Sequence, residues 1–277
     1  MRNWKGSVAF ITGGGQGIGL GIARALGSRG VRLALTDIDE EALHRSGEEL
    51  SKVTDVEVRR LDVREREAFA SVADDVESTL GPVDLLFNNA GIAPSSPLSE
   101  LDYAKWDLTL GVNLSGVING LQTFLPRMIE RGRGGYVVNS ASGAGLVAGP
   151  NVLYTTSKFA VVGLSESLRL AAERHGIGVS VLCPAYVDTG ILEHTYAMGA
   201  GSIAPLSGEV REKTEALFRS GVSIDGVGEL VVAGMEAEAM WIYTDDWLRS
   251  YLTIRMEQLL GTPFPTPGRQ GEPPSGT

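Results

Sequence analysis

The sequence predicts an α/β protein: a doubly wound, seven-stranded parallel sheet flanked by helices in a single domain. Short β-branched runs alternate with longer helical patterns along its 277 residues, which is how a parallel sheet covered on both faces reads. Several of those runs are continuously apolar, as strands buried on both sides must be. A glycine-rich turn, Thr12-Gly13-Gly14-Gly15-Gln16-Gly17-Ile18-Gly19, joins the first such run to the first helical pattern.

Taken in order, the strand candidates cover 7–12, 31–36, 56–61, 83–88, 135–140, 177–183 and 240–244. Helical patterns fall between them at 17–29, 40–52, 64–80, 102–131, 152–174 and 225–238. Gly30, Gly81, Gly132 and Gly176 stand just past helix ends, where a left-handed residue costs little. Asp39 and Asp225 are expected N-caps. Residues 1–261 read as the folded domain, with 189–224 as a mobile lid over a site. The Pro- and Gly-rich stretch 262–277 is expected to be disordered.

Composition narrows the function. A formal net charge of −10 and no Lys/Arg run argue against nucleic acid as a partner. The longest apolar runs fall short of the roughly eighteen residues of a membrane span. The single cysteine, Cys183, permits no internal disulfide and reads as a small apolar residue at a strand end. The first residues lead straight into a strand pattern, leaving no room for a secretory leader. The expectation is a cytoplasmic protein. The three histidines, His44, His175 and His194, lack ligand spacing, so no metal site is expected. Neither Ser140 nor Ser142 lies in a G-x-S-x-G hydrolase elbow.

A glycine-rich loop between a strand and a helix brings backbone N–H groups close to a pyrophosphate. The spacing does not satisfy G-x-G-x-x-G; it satisfies T-G-x-x-x-G-x-G, through Thr12, Gly13, Gly17 and Gly19. On this motif the chain resembles the short-chain dehydrogenase/reductase family, whose fold is Rossmann-type. The second strand ends in Asp37, placed to bind the adenosine ribose hydroxyls. A carboxylate there repels the 2′-phosphate of NADP, and the neighbouring Gln16 and Ile38 supply no cation, so NAD is the expected cofactor. The resemblance also implies cofactor contacts from Gly13, Gln16, Gly17, Ile18 and Gly19. It implies the same for the Asp62-Val63 pair and for Asn89, Ala90 and Gly91 of the Asn88-Asn89-Ala90-Gly91 stretch.

The resemblance continues in Tyr154-Thr155-Thr156-Ser157-Lys158, the family's Y-x-x-x-K pair, whose spacing of four sets both side chains on one helix face. A phenol with a pKa of about 10 is a poor base at neutral pH. Bringing it to neutrality takes about 4 kcal/mol, which a cation about 4 Å away supplies at an effective dielectric near 20. Lys158 together with a positive nicotinamide ring therefore suffices without a metal. The resemblance gives Lys158 a second task, binding the nicotinamide ribose. Ser142 fits the family's Ser-x-x-Gly pattern with Gly145 and would hold the substrate oxygen, with Ser140 as competitor. A mid-helix Asn113 needs a reason. The family's reason is a perturbed helix holding a water linked to Lys158; the alternative is a side chain satisfying a neighbouring backbone.

After the sixth strand comes Pro184-Ala185-Tyr186-Val187-Asp188-Thr189, where the family usually has Pro-Gly; Ala185 puts the local backbone shape in question. By resemblance, Val187 backbone atoms and the Thr189 hydroxyl bind the carboxamide. The leading reading is an NAD-dependent oxidoreductase acting on a hydrophobic secondary alcohol or ketone. The alternatives are an NADP-dependent 3-oxoacyl-type reductase and a catalytically silent nucleotide-binding regulator. Candidate substrate contacts are Leu146, Val147, Val152, Tyr186, Leu192, Tyr196, Met198, Leu206 and Phe218. By analogy, helices 102–131 and 152–174 build a homodimer or homotetramer interface.

Overall fold

The computed structural model describes residues 4–199 and 208–262. Seven strands, β1 (Val8–Thr12), β2 (Arg32–Asp37), β3 (Val56–Arg60), β4 (Leu85–Asn88), β5 (Gly135–Ser140), β6 (Ile177–Cys183) and β7 (Trp241–Tyr243), pair in parallel in the order β3-β2-β1-β4-β5-β6-β7. The order reverses between β1 and β4. A crevice opens there beyond the carboxyl ends of the strands, the usual ligand position in such sheets.

Every residue of β1 is buried because both sheet faces are covered. Ile11 pairs with Leu35 and Phe87 and packs on one face with Ile22 and Val231. Helices α1 (Gly17–Gly27), α2 (Glu40–Leu50) and α9 (Ile224–Glu236) cover this side. Phe10 faces the other way, with ring centroids 5.7 Å from Phe69 and 4.7 Å from Phe124. That layer is α3 (Arg66–Leu80), α4 (Tyr103–Leu110), α5 (Gly116–Arg131) and α6 (Val152–Ala172). Gly21 and Gly228 let α1 and α9 cross backbone to backbone; a Cβ at either would collide with the other helix's carbonyls.

Gly30, Gly81, Gly132 and Gly176 all take positive φ, as expected at helix ends. Asp39 caps α2, its Oδ1 accepting from the Ala42 amide at 2.9 Å. Asp225 does not cap α9: Ser223 Oγ accepts from the Gly226 amide at 3.1 Å, while Asp225 pairs with Arg24 at 3.0 Å. The expected helix over 102–131 is interrupted. A π-turn at Gly111–Ser115 separates α4 from α5 and adds a residue to the turn that carries Asn113.

The described residues of the expected lid hold two helices, α7 (Ile191–Gly199) and α8 (Gly208–Arg219), followed by a turn and the Val222 bridge. Arg211 of α8 reaches Glu193 of α7 at 3.7 Å. Thr195 Oγ1 accepts from the Ala93 amide at 2.8 Å, which ties α7 to the loop after β4. The last described helix, α10 (Leu248–Gly261), follows β7. Leu206 and the tail from 263 onward lie outside the described residues. Among the described residues, no helix is long and apolar enough to cross a membrane.

Candidate active site

One cavity of about 650 Å³ runs along the carboxyl ends of the strands and joins most of the singled-out residues. Gly13, Gln16, Gly17 and Ile18 line it from the loop after β1. Gly13 and Gly17 have φ of +64° and +53°, a region side chains rarely occupy. A Cβ on Gly13 would also press on Ala90 Cα at 3.0 Å. Gly19 is not on the wall; it sits behind it, where a Cβ would strike the Gly13 carbonyl and hold the loop away.

At the end of β2, Asp37 is buried and accepts from the Gly15 amide through Oδ2 and the Asp39 amide through Oδ1, both at 3.2 Å. Burial pushes its carboxyl above the ordinary value, and the two amides pull it back. No Lys or Arg stands among the cavity-lining residues beside it; Ile38 and Asp39 do. Asp62 and Val63 line the same end. Asp62 is paired with Arg64, which holds its carboxyl below the ordinary value.

Asn89, Ala90 and Gly91 line the cavity just after β4. Thr12 Oγ1 receives the Asn89 and Ala90 amides at 3.0 and 3.1 Å, and Asn89 Nδ2 donates to the carbonyls of Thr12 and Gly13. The first glycine turn is thus bolted to the strand-four loop.

At the far end, α6 delivers Tyr154 and Lys158. Asn151 caps this helix through the Tyr154 amide at 3.2 Å and donates to the Pro94 carbonyl at 2.7 Å. Lys158 Nζ lies 5.6 Å from the Tyr154 ring centroid and donates to the Ser140 carbonyl at 2.9 Å. An ammonium has three N–H bonds, so two stay available for a ligand. Burial lowers the Lys158 pKa to about 8. Burial likewise raises the Tyr154 phenol, and its hydrogen bond with Ser142 opposes that. Lys158 is expected to lower the phenol together with a positive nicotinamide ring; between the two side chains alone, burial dominates both groups.

The two serines separate clearly. Ser140 Oγ donates to Asn89 Oδ1 at 3.2 Å, a fixed position in the wall. Ser142 Oγ accepts from the Ala144 amide at 3.1 Å, and Ser142 lines the same cavity as Tyr154. Asn113 stands behind the wall. Its Oδ1 accepts from the Ile92 amide at 2.9 Å, and its Nδ2 donates to the Ile92 carbonyl and to Ser157 Oγ at 2.9 and 3.0 Å. Its side chain thus does what the alternative reading described, while the helix around it is perturbed as the family reading requires.

Ala185 keeps an ordinary φ, so the family's usual glycine is not needed here. Its amide donates to Thr244 Oγ1 at 3.1 Å. Val187 forms a parallel bridge with Val222 through the flanking Tyr186 carbonyl and Asp188 amide. In a parallel pair, that pattern turns Val187's own N–H and C=O to the opposite side. Both Val187 and Thr189 line the cavity.

Of the expected substrate contacts, Val147, Tyr186, Met198 and Phe218 line the cavity. Leu192 lines a smaller neighbouring pocket, Leu146 packs into the core and Val152 is exposed. Tyr196 does not reach the cavity wall. Sequence reasoning missed Ile92, Ala93 and His194, and it missed Trp247, just before the last helix, with Leu248 and Tyr251 in it.

A parallel sheet with its crevice at the reversal of strand order, a glycine cradle at one end and a tyrosine–lysine–serine group at the other defines a dinucleotide-binding oxidoreductase. The chain belongs to the short-chain dehydrogenase family, whose model matches residues 7–199. It is 33% identical over 282 residues to a C alpha-dehydrogenase of Sphingobium sp., covering 96% of this chain and 89% of that protein. It is 36% identical over 189 residues to 3beta-hydroxysteroid dehydrogenase 2 of Eggerthella lenta, covering 67% and 73%. A short-chain dehydrogenase/reductase from Burkholderia phymatum, solved in complex with NAD, superposes with a TM-score of 0.88 at 32% identity, covering 96% and 98%.

Proposed function

We propose that the protein is an NAD-dependent dehydrogenase that moves hydride between the cofactor and a hydrophobic secondary alcohol or ketone. One observation carries this reading: a single cavity has Asp37 at one end and Ser142, Tyr154 and Lys158 at the other. The glycine turn, Asp37 and the Asp62–Val63 step would hold the adenosine diphosphate half. Ala90, Gly91, Lys158 and Val187, with the Thr189 hydroxyl, would hold the nicotinamide half. A bound nicotinamide ring supplies the hydride acceptor in oxidation, the donor in reduction, and a positive charge in its oxidised form.

The chain's own residues handle the proton. Ser142 Oγ holds the substrate oxygen beside the Tyr154 hydroxyl. In oxidation the tyrosinate takes the alcohol O–H proton as the carbinol hydrogen leaves as hydride; in reduction the phenol returns a proton to the new alkoxide. Lys158 stabilises the tyrosinate and binds ribose through its two remaining N–H bonds. Asn113 is a positioning residue, since it holds Ile92 and Ser157 around the lysine.

NAD rather than NADP is favoured by Asp37 and by the lack of a Lys or Arg on the described cavity wall beside it, Arg60 of the adjacent strand being paired with Glu40, and the NAD-bound relative supports the choice. The relatives named for C alpha and 3beta-hydroxysteroid dehydrogenation support a CH–OH substrate. A homodimer or homotetramer is favoured by exposed apolar residues on α4, α5 and α6, including Tyr103, Ile118, Ile129 and Leu170. The absence of disulfides available to a one-cysteine chain suits the cytoplasm. The NADP-dependent 3-oxoacyl reading lacks a phosphate partner. A silent regulator would have no use for Ser142, Tyr154 and Lys158 brought together on one cavity wall.

The test is a panel of secondary alcohols followed at the NADH absorbance band with either cofactor. NADH formation with kcat/KM favouring NAD over NADP is expected. Equal or better use of NADP would overturn the role of Asp37.

A further inference from the structure

Aromatic residues make up only 6% of the chain, yet four of them from three separate elements meet on one wall of the cavity. Phe218 of α8 lies edge-on to Tyr186 of the loop after β6, with centroids 5.8 Å apart. Tyr186 is 5.6 Å from Trp247, and Trp247 is 4.5 Å from Tyr251 of α10. The core trio Phe10, Phe69 and Phe124 is wholly buried. This second cluster is not: Trp247 and Tyr251 keep 48% and 42% of their surface exposed. Leaving such area in water has a cost that core packing does not explain.

The platform is held in register with the reacting end. Leu248 is buried, and its Cδ1 packs close enough to Gly143 that an added Cβ would lie 3.3 Å away. Gly143 directly follows Ser142. Asp245 Oδ1 accepts the Trp247 amide at 2.9 Å, and Oδ2 accepts the Thr244 hydroxyl at 3.2 Å; Thr244 in turn receives the Ala185 amide. Arg255 over the Phe159 ring at 5.2 Å fixes α10 to α6. The indole is therefore set by contacts from both sides of the Ser142 loop.

Charge narrows the ligand further. Among the described residues, Lys158 is the only Lys or Arg lining the cavity, and the acids Asp37, Asp39 and Asp62 lie at the opposite end. Beside the platform, His194 lines the cavity, and a smaller pocket that shares Phe218 carries Arg211 and Arg219, which are paired with Glu193 and Glu215. Lys158 lies at the reacting end and both arginines are already paired with glutamates, so a substrate carboxylate or phosphate on the platform would meet no unpaired cation among the described residues.

We propose that Trp247, with Tyr251 and Tyr186, forms a stacking subsite for an aromatic ring, and that the substrate is an uncharged aryl carbinol or the corresponding aryl ketone. Trp247 is then the residue that selects aryl over alkyl substrates. This rests on the dehydrogenase reading above and deepens it.

The test compares 1-phenylethanol with 1-cyclohexylethanol, matched in shape class and differing in aromaticity, with NAD. Wild-type kcat/KM is expected to favour the phenyl substrate by about tenfold, equal to about 1.4 kcal/mol. Trp247→Leu removes that preference through KM, while Trp247→Phe keeps most of it. Calorimetric titration of acetophenone and methyl cyclohexyl ketone into NAD-saturated protein should show the same preference without turnover.

Should Trp247→Leu fail to fold, the wild-type preference alone still decides. Turnover of alkyl alcohols with no aryl preference overturns the subsite and leaves the dehydrogenase reading standing. Nicotinamide reduction absent with every secondary alcohol, while NAD binds, overturns that underlying reading. A Trp247→Leu protein with changed mass in size-exclusion chromatography and unchanged selectivity assigns the ring to a subunit contact and refutes the proposal.

Discussion

Replacing Lys158 by Met should make the protein more stable at neutral pH while destroying its proposed chemistry. Lys158 is 4% exposed, and burial takes its pKa from 10.5 to about 8. That difference corresponds to about 3 kcal/mol of cost for keeping the charged form folded. Below pH 8 the group is protonated in both states and the full cost is present. Above 10.5 it is neutral in both states and the cost is gone, so its effect on stability improves as pH rises between the two values. Met also deletes the bond to the Ser140 carbonyl, worth about 1 kcal/mol. Lys158→Met should therefore gain about 2 kcal/mol at pH 7, a gap that narrows by about 1 kcal/mol at pH 9. Cys183 works in the opposite direction: burial raises its thiol to about 12, so its contribution is complete below 9 and is lost on the way to 12. It is present in both proteins and largely cancels in the difference. Urea unfolding followed by circular dichroism at pH 7, 8 and 9 measures the gap. A wild type more stable than Lys158→Met by an amount independent of pH would refute the reasoning.

Two further substitutions address the ends of the cavity. Asp37→Asn removes the charge that would face a 2′-phosphate, an interaction of about 4 kcal/mol per charge at 4 Å and an effective dielectric near 20; the NAD-to-NADP ratio of kcat/KM should fall at least about a hundredfold, and an unchanged ratio would count against Asp37 as the selector. Ser142→Ala should lower kcat by about a hundredfold or more. Ser140→Ala, which loses only the bond to Asn89, should cost about 1 kcal/mol of stability and little turnover; steady-state kinetics beside thermal melts distinguishes the two, and the reverse pattern would exchange their roles.

Strands were the most legible part of the chain because burial on both faces writes them as apolar runs; β1 and β5 lie where the pattern puts them. The break in the helix over 102–131 was signalled only by the mid-helix Asn113, where the family resemblance implied a perturbed helix, and not by proline or charge. It is set by tertiary bonds from Asn113 to Ile92 and Ser157, which no window around residue 113 contains. Capping by Ser223 rather than Asp225 has the same character, since both are good caps and the ion pair with Arg24 draws the aspartate away. The cofactor half was readable because its glycines and Asp37 answer to backbone geometry and charge at fixed spacing. The substrate wall was not. Trp247 follows two aspartates after a short strand, and only the packing of Leu248 on Gly143 brings it to the cavity. Ala185 was an apparent conflict that dissolved, because its backbone takes a φ open to any residue.

The most direct test of the proposed chemistry is Tyr154→Phe, which removes one oxygen and keeps the ring against Lys158. NAD affinity, measured by calorimetry, should change by less than about threefold, while NADH formation from a secondary alcohol should fall by about a thousandfold or more. A Tyr154→Phe protein that still oxidises the alcohol at a rate near wild type would contradict the account.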